Sequence, residues 1–99
     1  MELGTDFSFI ARQKRMTIGE RDFYLDLLFY HRSLRRLVTI ELKLGNFDAT
    51  YKGQMELYMR WLDRYECRPR EEPPIGLILC GEKNRVQVEL LQLVRGEIR

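Results

Sequence analysis

The sequence predicts an α/β domain of element order βββαββ, with its helix on one face of the sheet. Three observations carry that expectation. Before residue 46 the apolar residues recur with a period of two, in three runs separated by polar or glycine-containing turns. Over residues 48–66 the period becomes three and four. Residues 75–80, IGLILC, are then a continuous apolar run of the kind an interior strand carries.

The first strand is expected over residues 7–18, FSFIARQKRMTI, where Phe7, Phe9 and Ala11 alternate with Ser8, Ile10 and Arg12. Gly19-Glu20-Arg21 reads as a turn. Residues 22–30, DFYLDLLFY, make the second strand, rich in aromatic and apolar side chains. A polar connection over residues 31–36 leads to the third strand at residues 37–44, LVTIELKL, which Gly45-Asn46 ends. These three runs form an antiparallel meander. In the helix that follows, Tyr51, Met55, Tyr58, Leu62 and Tyr65 share one side, and Asn46 or Asp48 is the expected N-cap. Gly53 costs a helix about 1 kcal/mol against Ala, so it is expected to permit close packing. Residues 67–74, CRPREEPP, read as a solvated connection. After the apolar run, Gly81-Glu82-Lys83-Asn84 is a turn. Residues 85–94, RVQVELLQLV, read as a strand or as a short helix, and the clean alternation of Val86, Val88 and Leu90 favours the strand.

Composition narrows the class. With 44% apolar and 32% charged residues the chain is an ordinary globular domain, neither low-complexity nor disordered. A formal charge of +2 does not select a partner, because local patches outweigh the sum. Cys67 and Cys80 form no CxxC pair, and the lone His31 cannot complete a zinc site with them. Two scattered cysteines, no visible signal peptide and no apolar run near the ~20 residues of a membrane span point to a reduced, cytoplasmic protein without a membrane partner. Residues 1–99 make one small domain; strand-like sequence begins almost at Met1, which suits either a natural start there or a fragment of a longer protein.

The second and third strands hold the chemistry. By strict alternation, Phe23, Leu25, Leu27 and Phe29 share an apolar face, as do Val38, Ile40, Leu42 and Leu44. The mixed faces carry Asp22, Tyr24, Asp26, Leu28 and Tyr30 on one strand and Leu37, Thr39, Glu41 and Lys43 on the other. An even-numbered loop centred between Ser33 and Leu34 sets Asp26 opposite Glu41 and also matches the two apolar faces. Opposed carboxylates have Cβ atoms about 4.5–5.5 Å apart, which is unfavourable alone and suitable for Mg²⁺. Lys43 lies one pleat further along, where it could hold a metal-bound water or offset charge on a phosphate. A solvated face with cross-strand ion pairing is the plainer account of the same residues.

Asp26 followed by Glu41-Leu42-Lys43 resembles the PD-(D/E)xK nuclease motif. More narrowly, the run DFYLDLLFYHRSLRRLVTIELKLGNF, then Tyr51, Gly53-Gln54, Tyr58 and IGLILC, is similar to the C-terminal domain of YhcG-type (DUF1016) proteins. The resemblance implies a restriction-endonuclease-like core whose N-terminal helix is truncated or missing in this chain. It implies a metal site of Asp26, Glu41 and the Leu42 carbonyl, with Glu2 as a further candidate acid. It makes Lys43 the catalytic lysine, places Gln54 facing the site, and sets Tyr58 one turn later on the nucleic-acid side. Arg12, Lys14, Arg15, Arg35 and Arg36 are candidate phosphate contacts. The implied activity is Mg²⁺-dependent hydrolysis of DNA, branched or damaged duplex included, with Mn²⁺ able to substitute. A homodimer and a separate helical N-terminal domain are the implied partners. A module that kept the fold and binds nucleic acid or assembles without cleaving is the alternative.

Overall fold

The structure, a computed structural model, describes residues 5–82 and 84–93. Its elements are β1 (Phe7–Ile18), β2 (Arg21–His31), β3 (Arg36–Leu44), α1 (Thr50–Tyr65), β4 (Ile75–Glu82) and β5 (Arg85–Gln92). The five strands form one sheet in the order β1-β2-β3-β4-β5. All pairs are antiparallel except β3 with β4, whose parallel pairing the crossover through α1 makes necessary. The restriction-endonuclease-like βββαββ order is therefore present. Glu2 and any helix around it lie outside the described residues.

The β2–β3 register is the expected one. Leu27 opposes Ile40, Phe29 opposes Val38, and His31 opposes Arg36 across a four-residue loop. Arg35 takes a positive φ of 53° there, and the His31 imidazole Nδ1 accepts the Leu34 N–H at 3.1 Å. The 67–74 connection is less solvated than its charge suggests. Glu72 donates its N–H to the Arg35 carbonyl and faces the guanidinium groups of Arg35 and Arg36, and Pro74 is buried.

The faces are assigned differently from strict alternation. Leu25 and Leu28 both pack in the core under α1, together with Met16, Leu37, Tyr58 and Leu62. Since they are three residues apart, β2 changes phase between them, and Asp26 lies at the change. In β1 a bulge shifts the register between Phe9 and Ala11, and Gln13 has φ of 49°. On β3 the helix covers the mixed face: Leu37, Thr39 and Glu41 are buried there. The apolar face of β3 points the other way, with Leu42 and Leu44 exposed.

Two rows of paired residues show the contrast. Leu28, Thr39, Gly76 and Leu91 cross the sheet beneath α1. Gly76 is where backbone and helix meet closely, because a Cβ there would sit 2.7 Å from Met55 Cγ and 3.0 Å from Thr39 Oγ1. Gly53, the expected packing glycine, instead faces open space. On the far face Leu27, Ile40, Leu77 and Leu90 form the corresponding row, and no described helix packs on it.

The helix starts as its sequence suggests. Asp48 Oδ1 accepts the Thr50 N–H at 2.9 Å and the Thr50 hydroxyl at 2.8 Å, so Asp48 caps the first turn one residue before the helical backbone begins at Ala49. These bonds hold the Asp48 carboxyl below its usual range. Met55, Tyr58, Met59 and Leu62 are the buried side of α1.

Candidate active site

The β2–β3 ladder ends at Leu27 and Ile40, and the next pair is Asp26 and Glu41. At that point side chains take the backbone donors. The Asp26 N–H donates to Glu41 Oε2 at 2.7 Å, and the Leu42 N–H donates to Asp26 Oδ2 at 2.8 Å. Each strand thus binds the carboxylate of the other, and the two acids are held together by reciprocal bonds. The remaining oxygen of Asp26, Oδ1, accepts Gln13 Nε2 at 3.0 Å. The remaining oxygen of Glu41, Oε1, lies 3.6 Å from Lys43 Nζ.

Burial sets the electrostatics. Glu41 is only 5% exposed. Loss of water raises its pKa above the usual glutamate range, the Asp26 N–H and the Lys43 ammonium oppose that rise, and the Asp26 charge adds to it. Burial also raises the Tyr58 phenol, and the charges of Glu41 and Asp26 push it further in the same direction. Lys43 keeps its ammonium 5.0 Å from the centre of the Tyr51 ring, a cation–π contact that fixes the amine over the helix-covered face.

The structure brings Asp26, Glu41 and Lys43 together and carries the Leu42 backbone into the same cluster through its N–H. Gln54 lies on the helical side defined by Tyr51 and Tyr58, half-buried, three residues after one and four before the other. Tyr58 lies one turn after Gln54, 3% exposed, with its ring packed edge-on to Phe23 and its phenol within reach of the charges of Glu41 and Asp26.

The basic residues divide. Arg12 and Arg15 are exposed on β1, opposite Leu27 and Tyr24 on either side of Asp26. Lys14 turns toward the helix, 3.5 Å from the Glu66 carboxylate and 5.9 Å from the Trp61 ring centre. Arg35 and Arg36 are paired with Glu72. Arg36 precedes Glu41 by five strand residues, about 17 Å at the rise of a strand. Arg35 and Arg36 are therefore at the far end of β3 from the carboxylates.

Two contributors were missed in the sequence. Gln13 is inconspicuous within a basic cluster, although the two-residue turn Gly19-Glu20 fixes a register that sets it beside Asp26. Tyr51 stands in the helical stripe and in the run that carries the family resemblance, but its pairing with Lys43 follows only from α1 covering the mixed face.

A family model described as "YhcG PDDEXK nuclease domain" matches residues 1–95. The Escherichia coli (strain K12) protein named "Putative nuclease YhcG" is 47% identical over 83 residues. That stretch covers 84% of this chain and 22% of the relative, so the chain spans about a fifth of the relative's length. No solved structure matches significantly.

Proposed function

The chain belongs to the YhcG PDDEXK nuclease domain family, and on that premise we propose that it hydrolyses phosphodiester bonds of DNA with a divalent cation, Mg²⁺ or in its place Mn²⁺. The observation that carries the reading is the reciprocal bonding of Asp26 and Glu41 with Lys43 at their side.

The residues fit a cation. Two carboxylates and one ammonium leave the cluster with a surplus negative charge. Both Asp26 oxygens and Glu41 Oε2 accept one hydrogen bond each, and Glu41 Oε1 has only the ion-pair contact with Lys43, so every carboxylate oxygen keeps a lone pair. Burial disfavours the Glu41 charge, and a cation beside it would offset that cost. Among the described residues no three His, Cys, Asp or Glu side chains converge. The Asp26–Glu41 pair suits Mg²⁺, which takes one or two protein carboxylates and keeps several waters. Asp26 and Glu41 would hold the ion, with the Leu42 carbonyl as a third oxygen.

When bound, the ion polarises the phosphate and lowers the pKa of a water. The chain's own groups do the rest. Lys43 orients the attacking water and neutralises charge that grows on the phosphoryl oxygens. The water oxygen bonds to phosphorus as the bond to the leaving oxygen breaks, and that oxygen ends as a hydroxyl. Gln54 orients water or substrate from the helix. Branched or damaged duplex is the proposed substrate, and the length that the relative has beyond this domain would supply recognition and assembly, a homodimer included.

The test is cleavage of duplex, branched and single-stranded DNA with Mg²⁺ or Mn²⁺, in the parent and in Lys43→Ala. Cleavage falls about 10²–10³-fold in the variant, the scale of removing one transition-state donor, while DNA affinity is retained. Equal affinity with no cleavage in the parent under any metal would leave the binding module as the better reading.

A further inference from the structure

We propose that Gln13 is a positioning residue that fixes the Asp26 carboxylate for cation binding, an inference that rests on the nuclease reading above. Two donors hold Asp26. One is the Leu42 N–H on Oδ2, supplied by the backbone of β3. The other is the Gln13 side-chain amide on Oδ1 at 3.0 Å. Together they fix both oxygens and so the plane of the carboxylate. Glu41 needs no such help, because it is buried and bound by the Asp26 N–H and Lys43.

The backbone at Gln13 gives the second argument. Its φ of 49° lies in the left-handed region that L-residues avoid and that Gly, Asn and Asp tolerate best. Nothing in the local chain requires a glutamine for that conformation. A glycine would enter it freely, and an asparagine would serve a turn. Glutamine adds one thing, an amide on a stem long enough to reach Asp26 from the neighbouring strand. The conformation occurs where the partner strand changes phase, and Asp26 lies at that change. The irregularity therefore aims a donor at the acid, a recognised use of strained backbone beside functional groups.

Groups that orient metal ligands without touching the metal typically cost tenfold to a hundredfold in metal affinity when removed. Gln13→Gly and Gln13→Asn both suit the backbone and both lose the reach. The experiment is calorimetric titration of Mn²⁺ into the parent and the two variants, with the metal-free thermal midpoint measured for each. The dissociation constant is expected to rise about tenfold or more in both variants. The metal-free midpoint should hold, or rise in Gln13→Gly. Parent-like Mn²⁺ affinity in both variants would overturn the role of Gln13 and leave the nuclease reading intact, even if the midpoints fell. No saturable Mn²⁺ binding by the parent would overturn the nuclease reading and this inference with it.

Discussion

Glu41 carries its charge where solvent barely reaches it. Its carboxyl titrates above the usual glutamate range because burial outweighs the Asp26 N–H and Lys43. The folded state therefore binds that proton more tightly than the unfolded chain does. Without metal, this group's contribution to stability is greatest below the unfolded glutamate pKa and is lost as pH rises through the raised folded value. Saturating Mn²⁺ favours the carboxylate and should reverse the slope. Thermal midpoints from pH 4 to 8, with and without metal, check both signs. Glu41→Gln copies the protonated form. In metal-free buffer above pH 7 its midpoint should equal or exceed the parent's, and the gain on adding metal should vanish. For the parent, that gain is about 2.7 kcal/mol at a hundred times Kd. Asp26, Glu41 and Lys43 were legible in the sequence because hairpin register follows from two matched apolar faces and an even loop. Gln13 was not, because its role depends on a left-handed backbone that nothing in ARQKR announces.

Among the elements, the two glycines near α1 separate legible from illegible packing. Gly53 drew attention because helix periodicity makes it conspicuous, yet its position is open. Gly53→Ala should stabilise the domain by about 0.5–1 kcal/mol, raising the midpoint by several degrees. Gly76 drew none, because a glycine in an apolar strand looks incidental. It is the place where β4 passes under Met55 and Thr39. Gly76→Ala should cost about 1–3 kcal/mol through overpacking, read as a lower midpoint. The strands and the helix themselves were legible to within about two residues at each end, since period two and period 3.6 differ plainly over runs this long. The covered face was not. Alternation sorts residues into two sets but cannot say which set the crossover helix selects, and the phase change in β2 mixes the sets.

At the scale of the molecule, the two sides of the sheet are unlike. One buries Glu41 beneath α1, and the other leaves Phe9, Leu42, Val88 and Leu90 more than half exposed. An apolar surface of this kind favours self-association of an isolated domain. Leu90→Lys should lower the apparent mass at high concentration in sedimentation, with little change in midpoint, because an exposed strand position has little packing to lose. Among the described residues, no helix is long and apolar enough to cross a membrane. The joint between β2 and β3 also bears on descent. Asp26 and Glu41 stand in for ladder bonds where the strands part, whereas Lys43 completes no backbone bond. A lineage that stopped cutting would shed the lysine before either acid. If Lys43 has the proposed role, a relative with both acids and no lysine is a retired enzyme whose seam is still stitched, and counting acids alone would overstate how many such domains cut.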